Sequence, residues 1–284
     1  MLGAIIGDIA GSVYEWNNIK TKDFPLFRQD CFFTDDTVMT VAVEEALEKG
    51  GRPDDFIDMM KMYGRLYPDA GYGGRFLEWV FSDSREPYNS WGNGSAMRVS
   101  PCAWAVPLGQ SICEGIGDVE NLAHRSAAVT HSHPEGIKGA VAVARAIYLM
   151  RHGKARDQVD EYKETVRRET EERYGYDLHR ALDDIRPTYR FDVSCQGSVP
   201  EAIIAFLEST DFEDAIRNAI SLGGDSDTIA AITGSIAEAA YGVPDWIRDK
   251  ALGYLDERLR GAVVRHLAGT WRETSRNQIN CTGR

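Results

Sequence analysis

Gly223-Gly224-Asp225-Ser226-Asp227-Thr228 runs directly into Ile229–Ala240, a stretch dominated by small and branched apolar residues. Almost two hundred residues earlier, Thr34-Asp35-Asp36-Thr37 leads in the same way into Val38–Leu47. Both read as helices opened by acids and hydroxyls. Either cluster alone is explained as an N-cap, since Asp, Ser and Thr accept hydrogen bonds from the first free N–H groups of a helix. A cap needs only one acceptor, however, and adjacent acids repel. If the two helix starts meet, four carboxylates face one another and require cations between them. Oxygen-only donors suit magnesium, manganese or calcium, so the pair of clusters points to a hard-metal centre.

Outward from these starts, most periodic stretches are helical. Ala103–Val106, Ile137–Met150, Val199–Leu207 and Phe212–Leu222 repeat apolar residues near i, i+3, i+4. Alternating strand patterns are almost absent. The expected fold is all-α, a compact single-domain helical bundle over residues 1–284. Gly3, Gly7 and Gly11 fall at i, i+4, i+8, a flat strip against which another helix can pack. Glu15 is expected to extend that strip by one more turn. With Glu15 beside Asp35, Asp36, Asp225 and Asp227 the site would carry five negative charges, nearly neutralised by two divalent cations.

Thirteen of the twenty residues from Lys154 to Arg173 are charged, with Glu164–Arg168 and Glu169–Arg173 at i, i+4. This predicts a solvated outer helix in a charged segment over 154–186. Residues 174–191 are read as an irregular or partly helical return, and 273–284 as a flexible tail.

The formal charge of −12 argues against a nucleic-acid scaffold. Five scattered cysteines without a C-x-x-C pattern support neither a disulfide framework nor a thiolate zinc site. The first ten residues have no basic n-region, and no apolar run approaches the ~18 residues of a membrane span. The chain is therefore expected to be soluble and cytoplasmic, with no membrane partner.

Between the acidic clusters lies Ser90-Trp91-Gly92-Asn93-Gly94-Ser95-Ala96-Met97-Arg98. Its glycines are expected to expose successive backbone N–H groups just before a helix, an arrangement that binds phosphate. Neither a Walker lysine nor a dinucleotide fingerprint is present. Gly71-Tyr72-Gly73-Gly74 is a second turn of this kind. In Thr130-His131-Ser132-His133 the i, i+2 spacing does not align a zinc pair. His131 is instead a candidate donor to phosphate or a cap.

Together these stretches resemble the ADP-ribosylglycohydrolase family. The resemblance runs from Gly3-Ala4-Ile5-Ile6-Gly7-Asp8 with Gly11-Ser12 and Glu15, through Thr34–Thr37, Gly92–Arg98 and Thr130–His133, to Gly223–Thr228. It implies an all-α protein holding two divalent cations, Mg2+ or Mn2+, on Thr34, Asp35, Asp36, Asp225, Asp227 and Thr228. Glu15 would lie beside them as a water-linked ligand or gate. Gly73, Ser90, Trp91, Gly92, Asn93, Gly94 and His131 would hold the diphosphate and ribose, with Trp91 or Tyr88 as aromatic partners. The implied reaction is metal-dependent hydrolysis of the glycosidic bond between ADP-ribose and its acceptor. Glu15, Asp36 and Asp227 would be catalytic, with Asp36 or Glu15 as the base. The implied partner is an ADP-ribosylated protein or a small-molecule ADP-ribose conjugate, with a nucleic-acid acceptor kept open. A metal-dependent phosphohydrolase and a non-catalytic ADP-ribose-binding protein are the competing readings.

Overall fold

The structure is a computed structural model that describes residues 1–109 and 111–269; the tail expected over 273–284 and Cys281 lie outside them. Its helices in chain order begin with α1 (Leu2–Gly11), α2 (Asp35–Lys49), α3 (Pro53–Leu66), α4 (Gly74–Phe81), α5 (Gly94–Met97), α6 (Ser100–Ala105), α7 (Ile112–Ala128) and α8 (Pro134–Ala155). There follow α9 (Val159–Tyr174), α10 (Leu182–Ile185), α11 (Cys195–Leu207), α12 (Phe212–Ser221), α13 (Ser226–Tyr241), α14 (Asp245–Leu252) and α15 (Glu257–Ala268). No strand occurs among the described residues, only an isolated bridge between Gly92 and Ser194. The all-α expectation holds. No described helix is long and apolar enough to cross a membrane.

Two helices form the centre. Every residue of α1 is buried, as is α13 from Ser226 to Ala240. Neither is amphipathic in the usual sense, because each is surrounded by other helices. Burial of Leu2, Ile5, Ile6 and Ile9 on α1 contributes ~1.5–3 kcal/mol per side chain. The glycine strip is where the two backbones touch. A Cβ on Gly7 would sit 2.0 Å from the Ala230 carbonyl oxygen, and one on Gly11 would sit 2.5 Å from Asp227 Cα. Only hydrogen fits, and the fit sets the α1 backbone directly against the start of α13.

The strip does not reach Glu15. Helix α1 stops at Gly11, and the Ser12 hydroxyl donates back to the Ile9 carbonyl at 2.9 Å, a local bond that competes with helix continuation. Tyr14 N–H then bonds to Gly11 O at 2.8 Å and turns the chain. Glu15 lies in this turn, half-buried, rather than on a helix face.

The four periodic stretches appear as α6, α8, α11 and α12. The charged segment forms α9 on the outside of α8, burying only Tyr162, Val166 and Thr170. Its expected ion pairs are replaced. Glu164 meets Arg167 at 3.4 Å, and Glu169 crosses to Arg145 on α8, which also holds Glu120 at 2.6 Å. Arg145 is nearly inaccessible, and a buried guanidinium demands carboxylate partners more strongly than an exposed Arg173 does. Residues 175–194 hold one short helix, α10, and otherwise form the irregular return.

Candidate metal centre and ligand cleft

The starts of α2 and α13 do meet. Asp8, Asp36 and Asp227 offer oxygens within 4.8 Å of one another, as do Glu15, Asp225 and Asp227. Asp227 is common to both groups. Thr228 Oγ1 donates to Asp36 Oδ2 at 3.2 Å and thereby links the two helices directly. Asp227 Oδ1 accepts from Thr228 N–H at 2.9 Å, and Asp225 Oδ2 accepts from Asn93 Nδ2 at 2.6 Å. Asp35 is not in either three-carboxylate group. Its N–H bonds to Ala70 O at 2.8 Å, and its side chain lines the cleft beside Gly71.

Asp8 is a further site residue, and its sequence signal is that of a lone acid in a wholly apolar helix. Its carboxylate accepts from Thr34 N–H at 2.9 Å, Thr34 Oγ1 at 2.7 Å and Thr37 N–H at 3.0 Å. Both oxygens are therefore engaged in fixing the first turn of α2. By contrast, Asp36 Oδ1 is buried and has no hydrogen-bond partner. An orphaned carboxylate oxygen inside a protein is costly unless a cation or donor meets it.

Proton affinities record the crowding. Burial first, then the neighbouring carboxylates, push Asp36 and Asp227 well above the usual carboxylate range. The same causes raise Asp35 to about 8 and Glu15 to about 7. Desolvation also raises Asp8 and Asp225, against hydrogen bonds that favour their ionised forms. An all-oxygen donor set, mutual repulsion and an unsatisfied oxygen fit hard divalent cations.

Glu15 is held there by Asn18, a residue that no motif marks. Asn18 Nδ2 donates to Tyr14 O, Glu15 O and Gly224 O at 2.8, 2.8 and 3.0 Å. Its Oδ1 accepts from Gly224 N–H at 2.8 Å. Gly223 and Gly224 both have left-handed backbones, φ +68° and +71°, which glycine adopts without strain. This tie brings Glu15 to Asp225.

A cleft of about 490 Å3 opens beside the acids. Of the predicted binding residues, Gly73, Ser90, Trp91, Gly92, Asn93, Gly94 and His131 all line it, together with Glu15, Asp35, Asp225 and Thr228. The turn differs from expectation in its amides. Gly92 N–H bonds to Ser90 Oγ at 3.2 Å, and Asn93 N–H to Val193 O at 2.8 Å. Two N–H groups expected to be free are thus used within the protein, one of them to dock the turn on Val193. His131 is buried, and its Nε2 faces the turn 3.3 Å from where a Gly94 methyl would sit. Burial and then the Arg98 charge hold it well below the usual histidine range, so it is neutral. His133 is the capping histidine, accepting from Glu135 N–H at 3.1 Å through Nδ1.

Other cleft residues carry no sequence signal. Arg75 lies 5.2 Å from the Tyr88 ring centroid and donates to the Tyr88 carbonyl. Trp16 and Phe191 stack with centroids 5.3 Å apart and line the cleft with Val193. Trp16 is 76% exposed, unusual for so large a ring.

Comparison with known proteins gives the family. A family profile described as ADP-ribosylglycohydrolase matches residues 1–278. Human ADP-ribosylhydrolase ARH3 is 29% identical, the alignment covering 89% of this chain and 88% of that protein. The ADP-ribosyl-[dinitrogen reductase] glycohydrolase of Rhodospirillum rubrum is 26% identical over 82% of this chain and 77% of its own. A solved structure described as an ADP-ribosylglycohydrolase-related protein complex superposes with a TM-score of 0.61 at 25% identity, covering 92% of this chain and 94% of that one. With its two acidic helix starts joined at one cleft, the chain belongs to the ADP-ribosylglycohydrolase family.

Proposed function

We propose that this chain is a divalent-metal-dependent hydrolase that cleaves the glycosidic bond between ADP-ribose and its acceptor. The observation that carries the reading is that a cluster of five carboxylates, Asp8, Glu15, Asp36, Asp225 and Asp227, reaches through Glu15 and Asp225 the same cleft that is lined by a glycine-rich turn and a neutral histidine. A ligand spanning them would present an anion at one end and a polyhydroxyl ring at the other, as ADP-ribose does.

Thr34, Asp35, Asp36, Asp225, Asp227 and Thr228 would hold two cations, Mg2+ or Mn2+, with Asp8 as their brace. When bound, such cations supply positive charge that polarises oxygen and acidifies water. The remaining chemistry belongs to the chain. The Ser90–Gly94 turn, Gly73 and His131 would orient the diphosphate and so align the distal ribose C1 with the acids. Water adds to C1 as the C1–acceptor bond breaks, and the acceptor leaves with the bonding pair and a proton. Positive charge developing on the ring would be stabilised by Asp225, Asp227 and Asp35. Glu15 suits the role of base better than Asp36, because Glu15 lines the open cleft whereas Asp36 is buried away from it. Trp16 and Phe191 beside Glu15 would flank the departing acceptor.

The test is to incubate the protein and either metal with arginine-linked, serine-linked and DNA-linked ADP-ribose and identify the product. Free ADP-ribose is expected. Release of AMP or inorganic phosphate would instead make it a phosphohydrolase, and binding without turnover a reader of ADP-ribose.

A further inference from the structure

We propose that Arg98 and Thr130 are positioning residues that fix which nitrogen of His131 carries the proton, holding an Nε2–H donor toward the Ser90–Gly94 turn. Donor and acceptor identity along a buried chain assigns the proton. Arg98 Nη2 lies 2.7 Å from Thr130 Oγ1, and Thr130 Oγ1 lies 2.8 Å from His131 Nδ1. A guanidinium can only donate. Thr130 Oγ1 therefore accepts from Arg98. Its own hydrogen can reach His131 Nδ1 or the Tyr88 side chain, and we assign it to His131, because the guanidinium polarises the hydroxyl and makes it a better donor than a second-time acceptor. Nδ1 is then an acceptor and carries no proton, which in a neutral ring leaves the proton on Nε2.

Each member is in place to enforce this. Arg98 is 1% exposed and Thr130 is fully buried, so water does not compete for either. Arg98 stays charged, since burial lowers it only to about 10. Among the described residues its two hydrogen bonds go to neutral acceptors, Thr130 Oγ1 and Ser126 O at 3.2 Å. Its positive charge also disfavours a second proton on the imidazole. Nε2 is the ring atom that faces Gly92 and Gly94. A neutral Nε2–H at that point can donate to an anionic oxygen, whereas the other tautomer would present a lone pair and repel it. With the Gly92 and Asn93 amides already bonded within the protein, this donor carries more of the anion recognition than the turn alone would.

The inference deepens the proposed function and rests on it only for the choice of ADP-ribose as probe. Protein labelled with 15N-histidine distinguishes the tautomers by NMR at pH 7.5, and His131→Gln assigns the His131 signals. Pyridine-type Nδ1 and pyrrole-type Nε2 are expected in the unmodified protein; a protonated Nδ1 would overturn the relay. Thr130→Val keeps the shape and removes the hydroxyl. It should release the tautomer into a mixture and weaken ADP-ribose binding about tenfold by calorimetry, with adenosine binding little changed. Thr130→Ser should restore both. If Thr130→Val lowers only the melting temperature, leaving tautomer and affinity as they were, the relay is refuted. If the tautomer behaves as assigned but the unmodified protein binds no ADP-ribose, the relay stands and the functional reading fails.

Discussion

Replacing Asp227 with asparagine removes one charge from the carboxylate shared by both acidic groups and preserves its shape. The oxygens within each group lie within 4.8 Å of one another. At an effective dielectric near 20, two unit charges at that separation repel by roughly 3–4 kcal/mol. Part of this is relieved by proton uptake, because burial and then Asp225, Asp36, Glu15 and Asp8 raise the Asp227 pKa well above the usual range. A carboxyl raised above its unfolded value of about 3.9 makes the folded state bind more protons than the unfolded one. Stability of the metal-free protein therefore falls as pH rises through that window, and the Asp227→Asn variant escapes the share of the loss that Asp227 causes. The hydrogen bond from Thr228 N–H at 2.9 Å survives, since an asparagine side chain offers a carbonyl in the same place. In chelator at pH 8, Asp227→Asn should be more stable than the parent by about 1–3 kcal/mol, or about 2–4 °C per kcal/mol. With manganese that advantage should vanish or reverse. A cation at a hundred times its Kd stabilises the parent by about 2.7 kcal/mol, and the variant loses most of that. Thermal unfolding with chelator and then with manganese measures both. A variant less stable in chelator, or one gaining as much from manganese as the parent, would mean that Asp227 is only a cap.

The α1–α13 backbone contact should be intolerant of any side chain. Gly7→Val places atoms inside the Ala230 carbonyl position and should destabilise by at least ~1–3 kcal/mol, read as a lowered denaturant midpoint. Asn18→Ala unties Glu15 from Gly224; turnover should fall at least tenfold while stability drops by only ~1–2 kcal/mol, compared by kcat and unfolding midpoint. Trp16→Ala, at an exposed site, should change stability by under ~0.5 kcal/mol and yet lower kcat/KM several-fold for protein conjugates. Equal loss on free small-molecule conjugates would remove Trp16 from acceptor recognition.

The all-α fold and the acidic cluster were legible where chemistry forces a pattern. Glycines at every fourth residue and paired acids at helix starts have few other uses in combination, and both appear at the α1–α13 contact and the two helix tips. What escaped was set by three-dimensional partnership. Asp8 stands out in sequence as the lone acid of an apolar helix, but its role depends on amides of Thr34 and Thr37, which only the fold brings near. Helical spacing puts Glu15 on a helix face, but the Ser12 back-bond to Ile9 ends the helix first, and Asn18 then carries Glu15 to Asp225 by a different route. Phe191 and Val193 lie in a stretch with no periodicity. Their place on the cleft follows from two backbone bonds, Asn93 N–H to Val193 O and Cys195 N–H to Trp91 O. Glu169 paired with Arg145 rather than along its own helix because a buried guanidinium outcompetes an exposed one.

The most direct test is anomalous diffraction from crystals grown with manganese. Ions should appear bounded by Asp36, Asp225 and Asp227, with Asp36 Oδ1 as a ligand and Asp8 still bonded to Thr34. Manganese absent from that cluster, or bound only at exposed acids elsewhere, would contradict it.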